Sequence, residues 1–205
     1  LVVAQTLIDF GLKNQEGTLV GQVQAQYAKY LLVALSPLSL SGYVIAQGLV
    51  QKAAGAVTQV SSALYPASAR VGTHNIRPLY YRLQFGLFFL ALLGIGIYEL
   101  VGYSFLSWWL HSSELVSIVD SVLKVMVWYF AVLVLCPLAS TMLDSRGRPE
   151  LTSLFTLVTT VIEISLAFIL FPRFGLFAPI YSALIALVLT TPALLYVTDR
   201  IIRVK

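Results

Sequence analysis

Leu151-Thr-Ser-Leu-Phe-Thr-Leu-Val-Thr-Thr-Val-Ile-Glu-Ile-Ser-Leu-Ala-Phe-Ile-Leu-Phe171 decides the fold class. Its one ionisable residue is Glu163. As a helix it rises about 1.5 Å per residue and crosses a hydrocarbon core of about 30 Å. A membrane barrel strand would alternate polar and apolar residues, and this run does not. Only helices and closed barrels satisfy their backbone in lipid, so the run reads as a transmembrane helix.

The rest of the chain has the same character. It is 59% hydrophobic and 11% charged, with a mean hydropathy of +0.87. Soluble domains carry roughly 25% charged residues. Further spans are expected at about 18–35, 41–65 (stopped near Pro66), 83–106, 115–138 and 177–197, beside 151–171. The predicted fold is all-α: one polytopic bundle of about six transmembrane helices over residues 1–205.

Loop charges give the expected orientation. One side receives Lys13, Arg70, Arg77, Arg82, Arg146, Arg148, Arg200, Arg203 and Lys205; the other receives Arg173. The positive-inside rule places the Arg-rich loops and the C-terminus in the cytoplasm. The net charge of +4 then marks topology and contact with anionic lipid rather than nucleic acid. Trp108 and Trp109 fall at the outer end of the third span, and Tyr80 and Tyr81 at its inner end, where amphipathic rings anchor a helix.

Nothing in the sequence points to an enzyme or a cofactor. His74 and His111 fall in opposite loops. Cys136 is the single cysteine and reads as a small apolar residue. Gly94-Ile-Gly96 sits inside an apolar span and reads as helix packing rather than a phosphate loop.

Polar residues inside spans need a reason, because a charge at the bilayer centre costs roughly 2.5–3.5 kcal/mol. Counted from a loop at Ser39, Lys29, Lys52 and Lys124 come to similar depths and are expected to line a hydrated, cationic substrate path. Gln22, Gln26 and Lys29 share one helical face. Gln47 and Gln51 continue the polar lining on the next helix, among the small residues Gly48, Ala53, Ala54, Gly55 and Ala56. Asp120 stands one turn before Lys124, the spacing of a local ion pair. Glu99 and Glu163 read as structural carboxylates and possible partners of the lysines, and Glu16 as a helix cap.

Several segments resemble one transporter family. They are Phe10-Gly-Leu-Lys13, Tyr30-Leu-Leu-Val-Ala-Leu-Ser36 with Leu40-Ser-Gly-Tyr-Val-Ile-Ala-Gln47, and Ser62-Ala-Leu-Tyr-Pro-Ala-Ser68. Asp144-Ser-Arg-Gly-Arg-Pro-Glu150 and Phe171-Pro-Arg-Phe-Gly175 complete the set. Their order resembles the polysaccharide flippases, the O-antigen and exopolysaccharide exporters of the multidrug/oligosaccharidyl-lipid/polysaccharide (MOP) superfamily. The sequence departs from that family at Gln26-Tyr-Ala-Lys29, where many relatives carry an acidic residue, and at Leu176-Phe-Ala-Pro179 after the glycine turn.

The resemblance implies the C-terminal half of a transporter, with an N-terminal half missing before Leu1. It also implies flipping of an undecaprenyl-pyrophosphate-linked glycan across the bacterial inner membrane by alternating access. The partners so implied are the bilayer and the lipid-linked glycan. A multidrug exporter of the same superfamily and a non-transporting membrane scaffold are the alternatives. The exporter would be expected to centre on acidic residues, and the scaffold to pair each lysine with a carboxylate.

Overall fold

The computed structural model describes residues 19–63 and 73–203, with side chains for all of these except 73–76. The Phe10–Lys13 motif, Glu16, Arg70, Pro66 and Lys205 lie outside the described residues, as does the side chain of His74. Among the described residues the chain is an all-α bundle with no strand.

Helix α1 covers 19–32, and a turn at 33–36 leads into α2, Pro37–Ala63. Helix α3 is Thr73–Leu110 and α4 is Ser113–Leu133. Helix α5, Cys136–Ser145, follows after a short break. Helix α6 is Pro149–Phe174, a single 3-10 turn covers Gly175–Phe177, and α7 is Ala178–Arg203.

Local chemistry sets these ends. Pro37 suits the first turn of α2, where its missing N–H has no partner to lose, and Ser36 Oγ accepts from the Ser39 N–H at 3.1 Å. Ser112 caps α4 in the same way, through the Leu115 N–H. Gly175 has φ +50°, a conformation that side chains resist, so α6 stops there and α7 folds back along it.

Two expected boundaries change. The turn after the first span comes at 33–36, before Pro37, rather than near Ser39. The fourth span, expected at 115–138, breaks at residues 134–135, because Pro137 cannot donate the hydrogen bond that would continue α4, and then resumes to Ser145.

Three helical stretches are long and apolar enough to cross a membrane: Arg77–Leu110, Ser113–Ser145 and Pro149–Arg203, the last folding into two helices. Helix α2 has the length but is not among them. Gln47, Gln51, Lys52 and Gln59 lower its hydropathy. The outward face of α3 carries Phe85, Phe89, Leu93, Ile97 and Leu100, an apolar strip suited to lipid. Trp108 is exposed at the end of α3, whereas Tyr80 is buried in the core and does not act as an interfacial anchor.

The main core joins α2 to α4. Tyr43, Ala46 and Val50 pack with Val119, Val122 and Met126. Gly42 lets the two backbones approach: a Cβ there would stand 2.5 Å from Ile118 Cγ2 and 3.3 Å from its Cβ. Overpacking of this kind costs about 1–3 kcal/mol. Gly42→Val in the full-length protein is expected to lower its thermal midpoint in detergent by that equivalent. An unchanged midpoint would show that α2 and α4 do not need this contact.

Candidate functional site

The buried polar centre of the bundle is Glu163. It lies on α6 with Thr152, Thr156 and Thr159, at spacings of four, three and four residues that hold one helical face. That face meets α7, where Thr159 Oγ1 donates to Thr190 Oγ1 at 2.9 Å. Helix α1 closes over the carboxylate. Tyr27 Oη donates to Glu163 Oε1 at 2.9 Å, and Gln24 Nε2 donates to Oε2. Ser182 Oγ of α7 is 3.4 Å from Tyr27 Oη. Glu163 is thus held by neutral groups from α1, with α7 behind them. Among the described residues no Lys or Arg forms an ion pair with it.

One small cavity opens on this carboxylate, and a second lies beside its partner Gln24. The first, of about 80 Å³, is lined by Glu163, Tyr43, Gln47, Gln51 and Tyr129 among others. The other, of about 160 Å³, is lined by Gln24, Cys136, Thr152, Thr156, Thr159 and Thr190 among others, and shares Tyr129 with the first. A water occupies about 30 Å³ in the liquid. These spaces suit waters or a small ion, and a glycan does not fit them.

The expected path residues separate. Gln47 lines the small cavity and donates to the Ala25 carbonyl at 3.4 Å, tying α2 to α1; Gln51 lines it too. Gln22 and Gln26 lie on the exposed side of α1, while Gln24 and Tyr27 point inward. Lys29 is half-buried and Lys52 exposed, and neither lines a polar cavity described above.

Nor do the three lysines share one depth. Lys29 is three residues from the end of α1, about 5 Å along its axis, whereas Lys52 is about 22 Å along α2 from Pro37. The expectation failed because it counted from Ser39, and the turn lies earlier. Lys124 is neutralised within its own helix: its Nζ is 2.8 Å from Asp120 Oδ2. Tyr98 Oη donates to the other oxygen of Asp120 at 2.9 Å. Glu163 takes hydrogen bonds from Gln24 and Tyr27 instead of pairing with a lysine.

No family model and no curated protein matches the sequence. Solved structures do match. An outward-facing multidrug resistance MATE family transporter of the MOP superfamily superposes with a TM-score of 0.80 at 15% identity. The chain shares the fold of part of that transporter. A second, from Pyrococcus furiosus Vc1, superposes at 0.75 and 19% identity; its binding pocket is described as having reverse polarity, suggesting a different function for that protein. In both cases the match covers 93% of this chain but 44% of the other, so the chain spans less than half the length of either MOP transporter.

Against that fold, Glu163 was visible in the sequence as the one charge in its run. Its partners were not. Gln24 and Tyr27 stand three apart, a spacing that puts them on one face, but the polar stripe of Gln22, Gln26 and Lys29 on the same helix masked it.

Proposed function

We propose that this chain is part of a membrane transporter that moves a lipid-linked oligosaccharide or polysaccharide repeat unit across the bacterial inner membrane by alternating access. The rest of the protein supplies a facing half, and the two rock against each other around the substrate. The C-terminal end of α7 then faces the cytoplasm.

The observation that carries this reading is the exposed polar face of α2. Gln51, Gly55, Thr58 and Ser62 fall on one helical face, with Lys52 and Gln59 beside it, and all are exposed. Lipid does not favour such a face, and a hydrated passage between two halves does. Lys29 stands near the α1–α2 turn and Lys52 deep along α2. Both are without an ion pair among the described residues, so they can offset a pyrophosphate or acidic sugars at successive points of a passage. The lipid tail stays in the bilayer.

Glu163 favours a second reading, a multidrug exporter. A buried carboxylate with only neutral partners needs a cation or a proton to offset its charge, as cation-coupled export requires. One experiment separates the two. In a strain lacking the gene, the flippase reading expects loss of surface glycan and build-up of lipid-linked repeat units on the inner face. The full-length gene should restore both. Intact surface glycan with raised drug accumulation would support the exporter instead.

A further inference from the structure

A third cavity, of about 460 Å³, lies between α3 and α7 and shares no lining residue with the two at Glu163 and Gln24. On α3, Arg77, Tyr81, Phe85 and Phe88 follow one face, and Tyr81, Phe85 and Phe88 line the space. On α7, Tyr196 and Asp199 line it, and Arg203 stands one turn beyond Asp199. From Tyr81 to Phe88 the groove runs about 10 Å along the helix. Its body is aromatic and aliphatic. Phe85 and Tyr196 are exposed, so the groove opens on the outside of the bundle.

The mouth has a different chemistry. Asp199 gathers two guanidinium groups: Arg77 Nε is 3.4 Å from Oδ1, and Arg203 pairs with Oδ2. Tyr81 Oη donates to Oδ1 at 2.6 Å, and the Arg77 guanidinium lies over the Tyr81 ring, 5.7 Å from its centroid. These contacts fix the direction of both arginines while leaving each about half exposed, 45% and 58% by side chain. Each guanidinium has five N–H donors, and one carboxylate uses few of them. Arg200, also exposed, adds a further positive charge one turn beyond Tyr196. Cations therefore outnumber the single anion at the mouth of an apolar groove.

We infer that this groove holds one anionic glycerophospholipid of the surrounding leaflet. Its phosphate sits on Arg77 and Arg203, and one acyl chain lies between Phe85, Phe88, Leu195 and Tyr196. Charge complementarity selects the occupant: a zwitterionic headgroup brings no net charge to the arginines, whereas an anionic one does. Basic pockets between membrane helices bind anionic headgroups for this reason. Asp199 positions the arginines; it does not neutralise them all. The site does not depend on which solute the protein moves, so its test is separate from that of transport.

The test is native mass spectrometry of the full-length protein with added phosphatidylglycerol or phosphatidylcholine. Wild type is expected to retain phosphatidylglycerol about tenfold more strongly or better. Arg77→Ala with Arg203→Ala should reduce it to the level of phosphatidylcholine. Leu195→Trp, which fills the groove without changing charge, should also displace it and serves if the arginine variant fails to fold. Equal retention of the two lipids by wild type would overturn the inference. So would unchanged phosphatidylglycerol retention in Leu195→Trp, or preferential retention of undecaprenyl phosphate when both anionic lipids are offered.

Discussion

Replacing both Lys29 and Lys52 with Ala in the full-length protein is expected to abolish surface-glycan export while membrane insertion stays normal. Lys52 is the stronger half of the argument. It is exposed about 22 Å along α2 and has no ion pair among the described residues. A lone cation at that depth is costly unless water or an anion meets it. Lys29, near the turn, would meet the same anion earlier or later in its passage. Lys124→Ala is the internal control. Its charge is already matched by Asp120 one turn away, and an exposed ion pair of this kind contributes little, so export should fall less than about twofold. The measurement is surface glycan against protein level in the membrane. Normal export in the double variant would sink the cationic-path reading.

The second large effect belongs to Glu163. Glu163→Ala removes the acceptor of both Gln24 and Tyr27. A buried polar group left without a partner costs about 1–3 kcal/mol, so two give about 2–6 kcal/mol; Ser182 stays beside Tyr27, which puts the expected loss in the lower half of that range, read as a lower thermal midpoint in detergent. Glu163→Gln separates structure from coupling. The amide keeps one acceptor oxygen and nearly the same volume, so α1 should stay docked on α6. It cannot carry a negative charge, so transport that depends on a cation or proton at this position should fall at least about tenfold, the change of one unit of 1.4 kcal/mol in a barrier. Normal transport in Glu163→Gln with a destabilised Glu163→Ala would make the residue a structural clamp between α1, α6 and α7. A Glu163→Ala variant as stable as wild type would overturn the clamp itself.

These two sites were unequally legible. Lys52 stands out as the one charged residue of α2, and one residue is enough to see it. The Glu163 centre needs residues 139 positions apart, Gln24 and Glu163, to come together. No local pattern carries that information. Lys124 is the opposite case: its ion pair is local and its spacing announces it. The depth error for Lys29 and Lys52 has another source. Two serines flank Pro37, and hydropathy alone does not say which of them caps the next helix. The hydrogen bond from the Ser39 N–H to Ser36 Oγ decides it.

The sequence by itself determined that this chain is a membrane bundle of helices, because burial of apolar side chains in lipid depends on composition and run length alone. It also determined which end is rich in arginine. The tertiary structure decided which polar faces turn inward. A helix has two or more faces at similar spacings, and only its neighbours select one. That selection placed Gln24 and Tyr27 on Glu163, left Gln22, Gln26 and Lys52 on the outside of the bundle, and brought Arg77 of α3 to Asp199 of α7.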